Sequence, residues 1–446
     1  MQRRHFLGSA GLAGGAGLLG LLSGDGHAAA DEYRALVVVF LEGGNDGHNC
    51  LVPTDAAYGD YQSARANLAL SKNSLVALAG KSAGHSFGVH PTLAAMAGLY
   101  NEGRLAWIAN AGPLVEPATA QQVLANAVEL PPFLMSHSDQ VAIQQGWTVQ
   151  DDMSGWAGRG LELLPSTMRH PISAVTTNTN RTLVLGKRSP VSFLPQDGAR
   201  WWGAGDLSQP QQEQVQAINR MAQWQFANAY EAEYARTLGS AVADSARFTQ
   251  ALMQAAPPSA DFGNAYLAEQ LRTVATVLPM FKSEGLKRQV FVVSEGGYDT
   301  HANQRGSGAN TQDTLLAGMA KALAGFDQHM RTSGLDQNVV TLVMSDFGRT
   351  LRPGSGGGSE HAWGNHWFAL GGPVAGGQVL GSFPALKLGG VDDGDPGKNG
   401  RLVPAVATDQ VGATLMQWLG LAPNLLHDVF PNLVNFNQKT IPLLRA

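Results

Sequence analysis

The 446-residue chain has a single cysteine, Cys50, so no internal disulfide can form and stability has to come from a buried core. A chain of this length has ample material for one. Charge is scarce as well: Asp, Glu, Lys and Arg make up 15% of the residues, against about 25% in ordinary soluble domains. No basic run occurs and the formal net charge is −5, which excludes the electrostatic footprint of a nucleic-acid-binding protein. Beyond the N-terminus no stretch approaches the roughly 20 apolar residues that cross a bilayer.

What the sequence does have starts at its first residues. MQRRHFLGSA sets Arg3 and Arg4 ahead of Phe6 and Leu7, and an uncharged Gly/Ala/Leu stretch runs from Gly8 to about Ser23. HAAAD then offers the small residues Ala28, Ala29 and Ala30 before Asp31. This is the pattern of a cleaved twin-arginine signal over residues 1–30, too short and too diluted by glycine for an anchor. It predicts export by the twin-arginine translocase, a periplasmic or secreted location, and no membrane span after cleavage. Proteins on that route cross folded, often after a cofactor has been inserted, so the signal points toward a metal. Losing Arg3, Arg4 and Asp25 makes the remainder one charge more negative than the whole chain.

Downstream, apolar runs of strand length alternate with amphipathic segments of helix length, the pattern of a layered α/β fold around a mainly parallel sheet. Strands are expected at Ala35–Leu41, Leu105–Asn110, Gln289–Ser294 and Val339–Ser345, each bulky or β-branched and free of proline. Helices are expected at Pro91–Asn101, entered through Pro91 and stopped by Gly103, and at Gln211–Arg236, Asn264–Lys282 and Thr311–Ser333. The polar helix Gln211–Arg236 sits between early and late strands, which suggests a helical insertion or cap over about residues 185–260 of one domain spanning 31–446. The glycines of PGSGGGSE, from Pro353 to Glu360, predict a mobile loop.

Three of the predicted strands run directly into polar clusters. ALVVVFL leads to EGGNDGHN with Asp46, His48 and Asn49; QVFVVS leads to EGGYDTHANQ with Asp299, His301 and Gln304; VVTLVMS leads to DFGRT with Asp346 and Arg349. The glycine loop then delivers EHAWGNHW, with Glu360, His361 and His366. Ligands of open α/β sheets sit beyond the carboxyl ends of the strands. Asp and His gathered there make a mixed O/N metal site, suited to zinc or manganese, or to calcium if oxygen dominates. Each motif also has a plainer reading. GGNDG is a turn signal, DTH fits a capped loop with His301 bonded to backbone, and Asp346 fits a helix cap paired with Arg349.

These blocks resemble an exported bacterial family catalogued as a domain of unknown function (number 1501), similar in fold to the alkaline phosphatase and sulfatase superfamily. The resemblance is carried by FLEGGNDGHNCLVP, VHPTL with LYNEGRLAWIANAG, PPFLMSHSDQ, GGYDTHANQ, SDFGRT, EHAWGNHWFALGG and AGGQVLG. It implies a three-layer alkaline-phosphatase-like fold with divalent metal held by Asp46, Asp299, His301, Asp346, His361 and His366. It also implies hydrolysis of a small anionic phosphate or sulfate ester, since paired metal ions stabilise the attacking and leaving oxygens of such transfers. Arg349 is the expected anion-holding fork. Two features depart from that pattern. Phe347 stands where phosphatases of the superfamily follow the late Asp with His, and no Cys or Ser occurs in a C/S-x-P-x-R nucleophile motif. A hydroxyl is therefore needed, and Ser136 in PPFLMSHSDQ is the candidate nucleophile; its other reading is a cap for a helix starting near Ser138. The rival to an esterase is a degenerate member of the same fold that binds a ligand or serves an envelope assembly.

Overall fold

The computed structural model describes residues 32–146, 152–194 and 209–445. The signal pattern of residues 1–30 lies outside the described residues.

A nine-stranded sheet organises the chain. Its strands in sequence order are β1 (Arg34–Leu41), β2 (Leu105–Gly112), β3 (Ala174–Thr176), β4 (Ser192–Phe193), β5 (Arg288–Glu295), β6 (Val339–Ser345), β7 (Asn365–Leu370), β8 (Gln378–Leu380) and β9 (Val406–Ala407). Across the sheet the order is β8-β2-β7-β6-β1-β5-β3-β4, with β9 also paired to β2. Strand β7 runs antiparallel to both its neighbours, and the other pairings are parallel. The fold is thus α/β with a mainly parallel sheet, as the alternation of segments led one to expect.

The central strands read as unbroken apolar runs because both faces of the sheet are covered. Along β1 successive side chains point to opposite faces. Ala35, Val37, Val39 and Leu41 join one core, together with the helices Ala94–Asn101, Tyr266–Ser283 and Gln312–Thr332. Leu36, Val38 and Phe40 join the other, with Trp156–Leu163, Thr408–Trp418 and the C-terminal segment. Each buried Val, Leu or Phe contributes on the order of 1.5–3 kcal/mol, so these two cores fix the three layers and the register between them.

Several expected helices appear close to their sequence limits. Thr311 caps Gln312–Thr332 by accepting from the Thr314 N–H, and Gly334 ends it with φ +70°. His90 accepts from the Thr92 N–H and caps the turn at Pro91 that enters Ala94–Asn101. The expected helix at Gln211–Arg236 is instead two helices, Gln209–Ala222 and Ala229–Gln254. Asn228 opens the second by capping the Tyr230 N–H, so a cap residue overrides the continuous apolar stripe. Phe248 and Ala251 of that second helix are buried in the first core.

Candidate metal centre

Leu41, Glu295 and Ser345 are register partners, so β1, β5 and β6 leave the sheet at one level. Their loops meet directly beyond it. The chain after β1 turns through Gly43 (φ +113°) and Gly44 (φ +75°). A Cβ on Gly44 would fall 2.3 Å from the Phe347 ring, so this turn requires glycine on both backbone and steric grounds.

Asp346, at the end of β6, is fully buried. It accepts from the Gly43 and Gly44 N–H groups and from Ser345 Oγ, which ties the β1 turn to β6. Its Oδ2 lies 2.9 Å from His137 Nδ1. His137 opens a helix, His137–Gln144, whose Gln144 side chain donates to the Asp346 carbonyl.

The glycine-rich segment is a docked turn, contrary to the mobile loop its composition suggested. It closes an antiparallel ribbon of Arg349–Pro353 against Ser359–His361, in which Arg349 and His361 are partners. A Cβ on Gly358 would meet the Thr300 carbonyl at 2.1 Å. The glycines therefore let the turn lie on the Thr300–His301 backbone, and they bring His361 to His301.

Three histidines surround one carboxylate. His301 Nε2 lies 2.9 Å and His361 Nε2 3.1 Å from Asp299 Oδ1, and the two nitrogens are 2.9 Å apart. His137 Nε2 lies 3.4 Å from Asp299 Oδ2. On each ring the other nitrogen faces an acceptor: Glu360 Oε2 at 2.7 Å for His301, the Met135 carbonyl at 2.8 Å for His361, and Asp346 for His137. Those partners favour the proton on Nδ1, so in its neutral form each imidazole turns an Nε2 lone pair toward Asp299. Lone pairs converging at such distances repel unless a cation or proton lies between them. Outward hydrogen bonds of this kind are what orient histidine ligands in metal sites. One ligand atom from each of His137, Asp299 and His361 falls within 4.8 Å of the others.

The charges around the cluster act on each group differently. Burial works to raise the Asp299 carboxyl, but the Arg349 guanidinium outweighs it with help from His361 and His301, and holds the group at about 2. The hydrogen bond to Asp346 raises His137, against partial burial and with help from the two aspartates. Burial lowers His361. Asp299, with 44% of its side chain exposed, opens this cluster to solvent.

The other expected residues do different work. Asp46 is buried against Arg65, which pairs with its Oδ2; Gln304 donates to the same oxygen at 2.6 Å, and Oδ1 caps the His48 N–H. With its charge already matched, Asp46 stands apart from the three-histidine cluster. His366 lies inside β7, its Nδ1 accepting from the Asn110 N–H and its ring stacked on Phe383. That bond leaves the proton on Nε2, and burial holds the ring well below the usual histidine range. His366 is therefore a neutral core residue, not a ligand. Arg349 is a brace, not the open fork the sequence suggested: fully buried, it donates to the carbonyls of Gly43, Gly44, Tyr298 and Ser359 and to Asp299. Asp346 reaches the cluster only through His137.

Ser136 occupies the N-cap position of His137–Gln144, yet its Oγ makes no bond to the helix backbone and donates to Asp139 Oδ2. Just before it, Phe133 and Met135 adopt φ +52° and +71°. Such strain in non-glycine residues gathers where function constrains the chain, and here it aims the Met135 carbonyl at His361. In the sequence His137 is only the residue after Ser136 in PPFLMSHSDQ, and Glu360 only the polar residue that opens EHAWGNHW.

The chain matches the family described as Protein of unknown function (DUF1501) over residues 33–396. No curated protein matches it. Among solved structures it is similar to the lipoteichoic acid synthase LtaP from Listeria monocytogenes, at 10% identity and TM-score 0.33, covering 89% of this chain and 74% of that one. It is similar to the PsFucS1 sulfatase from Pseudoalteromonas sp. at 12% identity and TM-score 0.35, with the same coverage of 89% and 74%. It is also similar to the phosphonate monoester hydrolase SpPMH from Silicibacter pomeroyi at 10% identity and TM-score 0.31, again over 89% and 74%.

Proposed function

The chain belongs to the family described as Protein of unknown function (DUF1501), and we propose that it is an exported, metal-dependent hydrolase of small phosphate or sulfate esters. One observation carries the metal: the Nε2 atoms of His137, His301 and His361 all face the Asp299 carboxylate, each held there by an acceptor on its far side. Three imidazoles and one carboxylate suit zinc or manganese better than calcium, which prefers an all-oxygen shell. A divalent ion among them would supply Lewis-acid polarisation of an ester oxygen.

The chain's own residues do the rest of the work. Asp346, Glu360 and the Met135 carbonyl orient the three imidazoles, and Arg349 holds Asp299 ionised at about 2. Ser136 is the nucleophile in this reading. Its hydroxyl is free of the helix backbone and hydrogen-bonded to Asp139, which is placed to take the proton as Oγ bonds to phosphorus or sulfur and the ester's alcohol leaves; water then hydrolyses the ester formed on Ser136. The ester class comes from the motif resemblance, and export comes from the twin-arginine pattern at Arg3 and Arg4.

A degenerate binding protein of the same fold is the second reading. Two facts favour it: the Phe347 ring lies against His137 and His361, at 4.7 and 4.6 Å, and the fully buried Arg349 bonds to four backbone carbonyls and to Asp299. Elemental analysis of protein exported by its own route, paired with hydrolysis of p-nitrophenyl phosphate and sulfate, tests both. Zinc or manganese at about one per chain with turnover supports the hydrolase. Metal without turnover leaves the binding protein, and protein with no bound metal refutes the proposal.

A further inference from the structure

A second site lies along the same sheet edge. Strands β2 and β9 are parallel to each other, and β7, antiparallel to both β2 and β6, places the carboxyl end of β2 on the side where β6 ends. Beyond β2 and β9 the chain encloses a cavity of 410 Å³, a size suited to a small organic ligand. Leu114, Leu130, Phe133, Ile143 and Val429 give it an apolar wall, and none of the three histidines or Asp299 lines it.

Asp409 is the carboxyl in that wall. It belongs to the first turn of Thr408–Trp418, where an aspartate normally serves the free N–H groups. Here the Gln410 side chain takes the Ala407 N–H instead, and Asp409 Oδ2 is enclosed with no hydrogen-bond partner. Arg159 faces it, but that guanidinium bonds to the carbonyls of Ser154, Gly146 and Val429, and no ion pair joins the two among the described residues. Burial, opposed by Arg159, pushes Asp409 up to about 7. Glu129 adds a second carboxylate to the lining. Phe133, 67% exposed, offers an aromatic ring at the opening, the usual partner of an ammonium group.

We propose that this cavity binds a small organic cation, an ammonium group on an apolar body, with Asp409 as its counter-ion. The apolar wall takes the body. The Asp409 carboxylate gains the hydrogen-bond partner its Oδ2 lacks, while Arg159 keeps its own bonds to backbone carbonyls. The site does not depend on metal in the histidine cluster.

Calorimetric titration of the whole protein with phenethylamine and with its neutral counterpart 2-phenylethanol tests this. At pH 8 the amine should bind roughly tenfold or more tightly than the alcohol, the worth of a charged hydrogen bond. Its affinity should fall toward pH 6 as Asp409 takes up a proton; the other charged groups lining the cavity are Arg159 and Glu129, with Asp152 beyond Arg159. Asp409→Asn should remove the preference while still binding the alcohol, which reports that the cavity is intact. Ile143→Trp should abolish both. Equal affinities in the unmodified protein, binding of neither compound, or a preference that survives Asp409→Asn would each overturn the proposal. If Asp409→Asn does not fold, the comparison in the unmodified protein still decides.

Discussion

His137 Nδ1 lies 2.9 Å from Asp346 Oδ2, a contact made across 209 residues of sequence. It sets which nitrogen of His137 carries the proton and so which one faces Asp299. Asn at position 346 can still accept from Gly43 and Gly44 through its oxygen, but its amide then points N–H donors at His137. The imidazole must move its proton to Nε2, and a ligand nitrogen becomes a donor. Asp346→Asn should therefore weaken zinc binding by about 10–100-fold, the usual effect of losing an orienting partner. Competition against a chromophoric chelator measures this; unchanged affinity would mean that Asp346 only braces the Gly43–Gly44 turn.

Asp46 and Arg65 are paired with neither side chain exposed. Arg65→Met strands a buried carboxylate and should destabilise the protein by about 3–5 kcal/mol in urea unfolding, while adding Asp46→Asn should recover much of that loss. Because Asp46 is already matched in charge, zinc content of the double variant should equal that of the unmodified protein. A double variant that folds but loses its metal would return Asp46 to the ligand set.

The strands that frame the site were readable because burial on both faces makes them continuous apolar runs; Val339–Ser345 has the limits its sequence suggested. The clustering at their ends was readable too, since Asp299, His301 and His361 do meet. What escaped has physical reasons. β7 begins Asn-His, which reads as a polar loop, yet Asn365 donates to the Asn45 and Phe347 carbonyls and His366 is a neutral ring stacked on Phe383. Arg349 looked like an anion fork because composition cannot show that its donors end on four backbone carbonyls. His137 gave little signal: its helix is eight residues long, and the backbone that aims it turns left-handed at Phe133 and Met135 without glycine.

Metal should couple to stability. A cation bound only by the native state adds about 2.7 kcal/mol when free metal is a hundredfold above its dissociation constant. Chelator should lower the melting temperature, and zinc or manganese should restore it where calcium does not. Ser136→Ala should abolish ester hydrolysis yet keep this full metal response, since the hydroxyl bonds to Asp139 and not to the histidines. Turnover surviving in Ser136→Ala would rule out the serine as nucleophile and leave water in that role.

Asp409 should give the protein a pH dependence of its own. An unfolded aspartate titrates near about 3.9, whereas in the native cavity burial pushes it up to about 7. Between those values the native state holds a proton that the unfolded chain has released, so stability is lost as pH rises through the window and levels off above it. At about 1.36 kcal/mol per pKa unit, and discounted for relaxation around the charged form, the loss is on the order of 1–2 kcal/mol. Other groups titrate over the same range, so the informative quantity is the difference between Asp409→Asn and the unmodified protein. That difference should favour the variant more at pH 8 than at pH 4.5 in urea unfolding. Saturating phenethylamine at pH 8 should shrink it, because the bound cation stabilises the carboxylate that the variant has lost. A difference that stays constant across pH would mean that Asp409 titrates alike in both states, and that its carboxylate already has a partner.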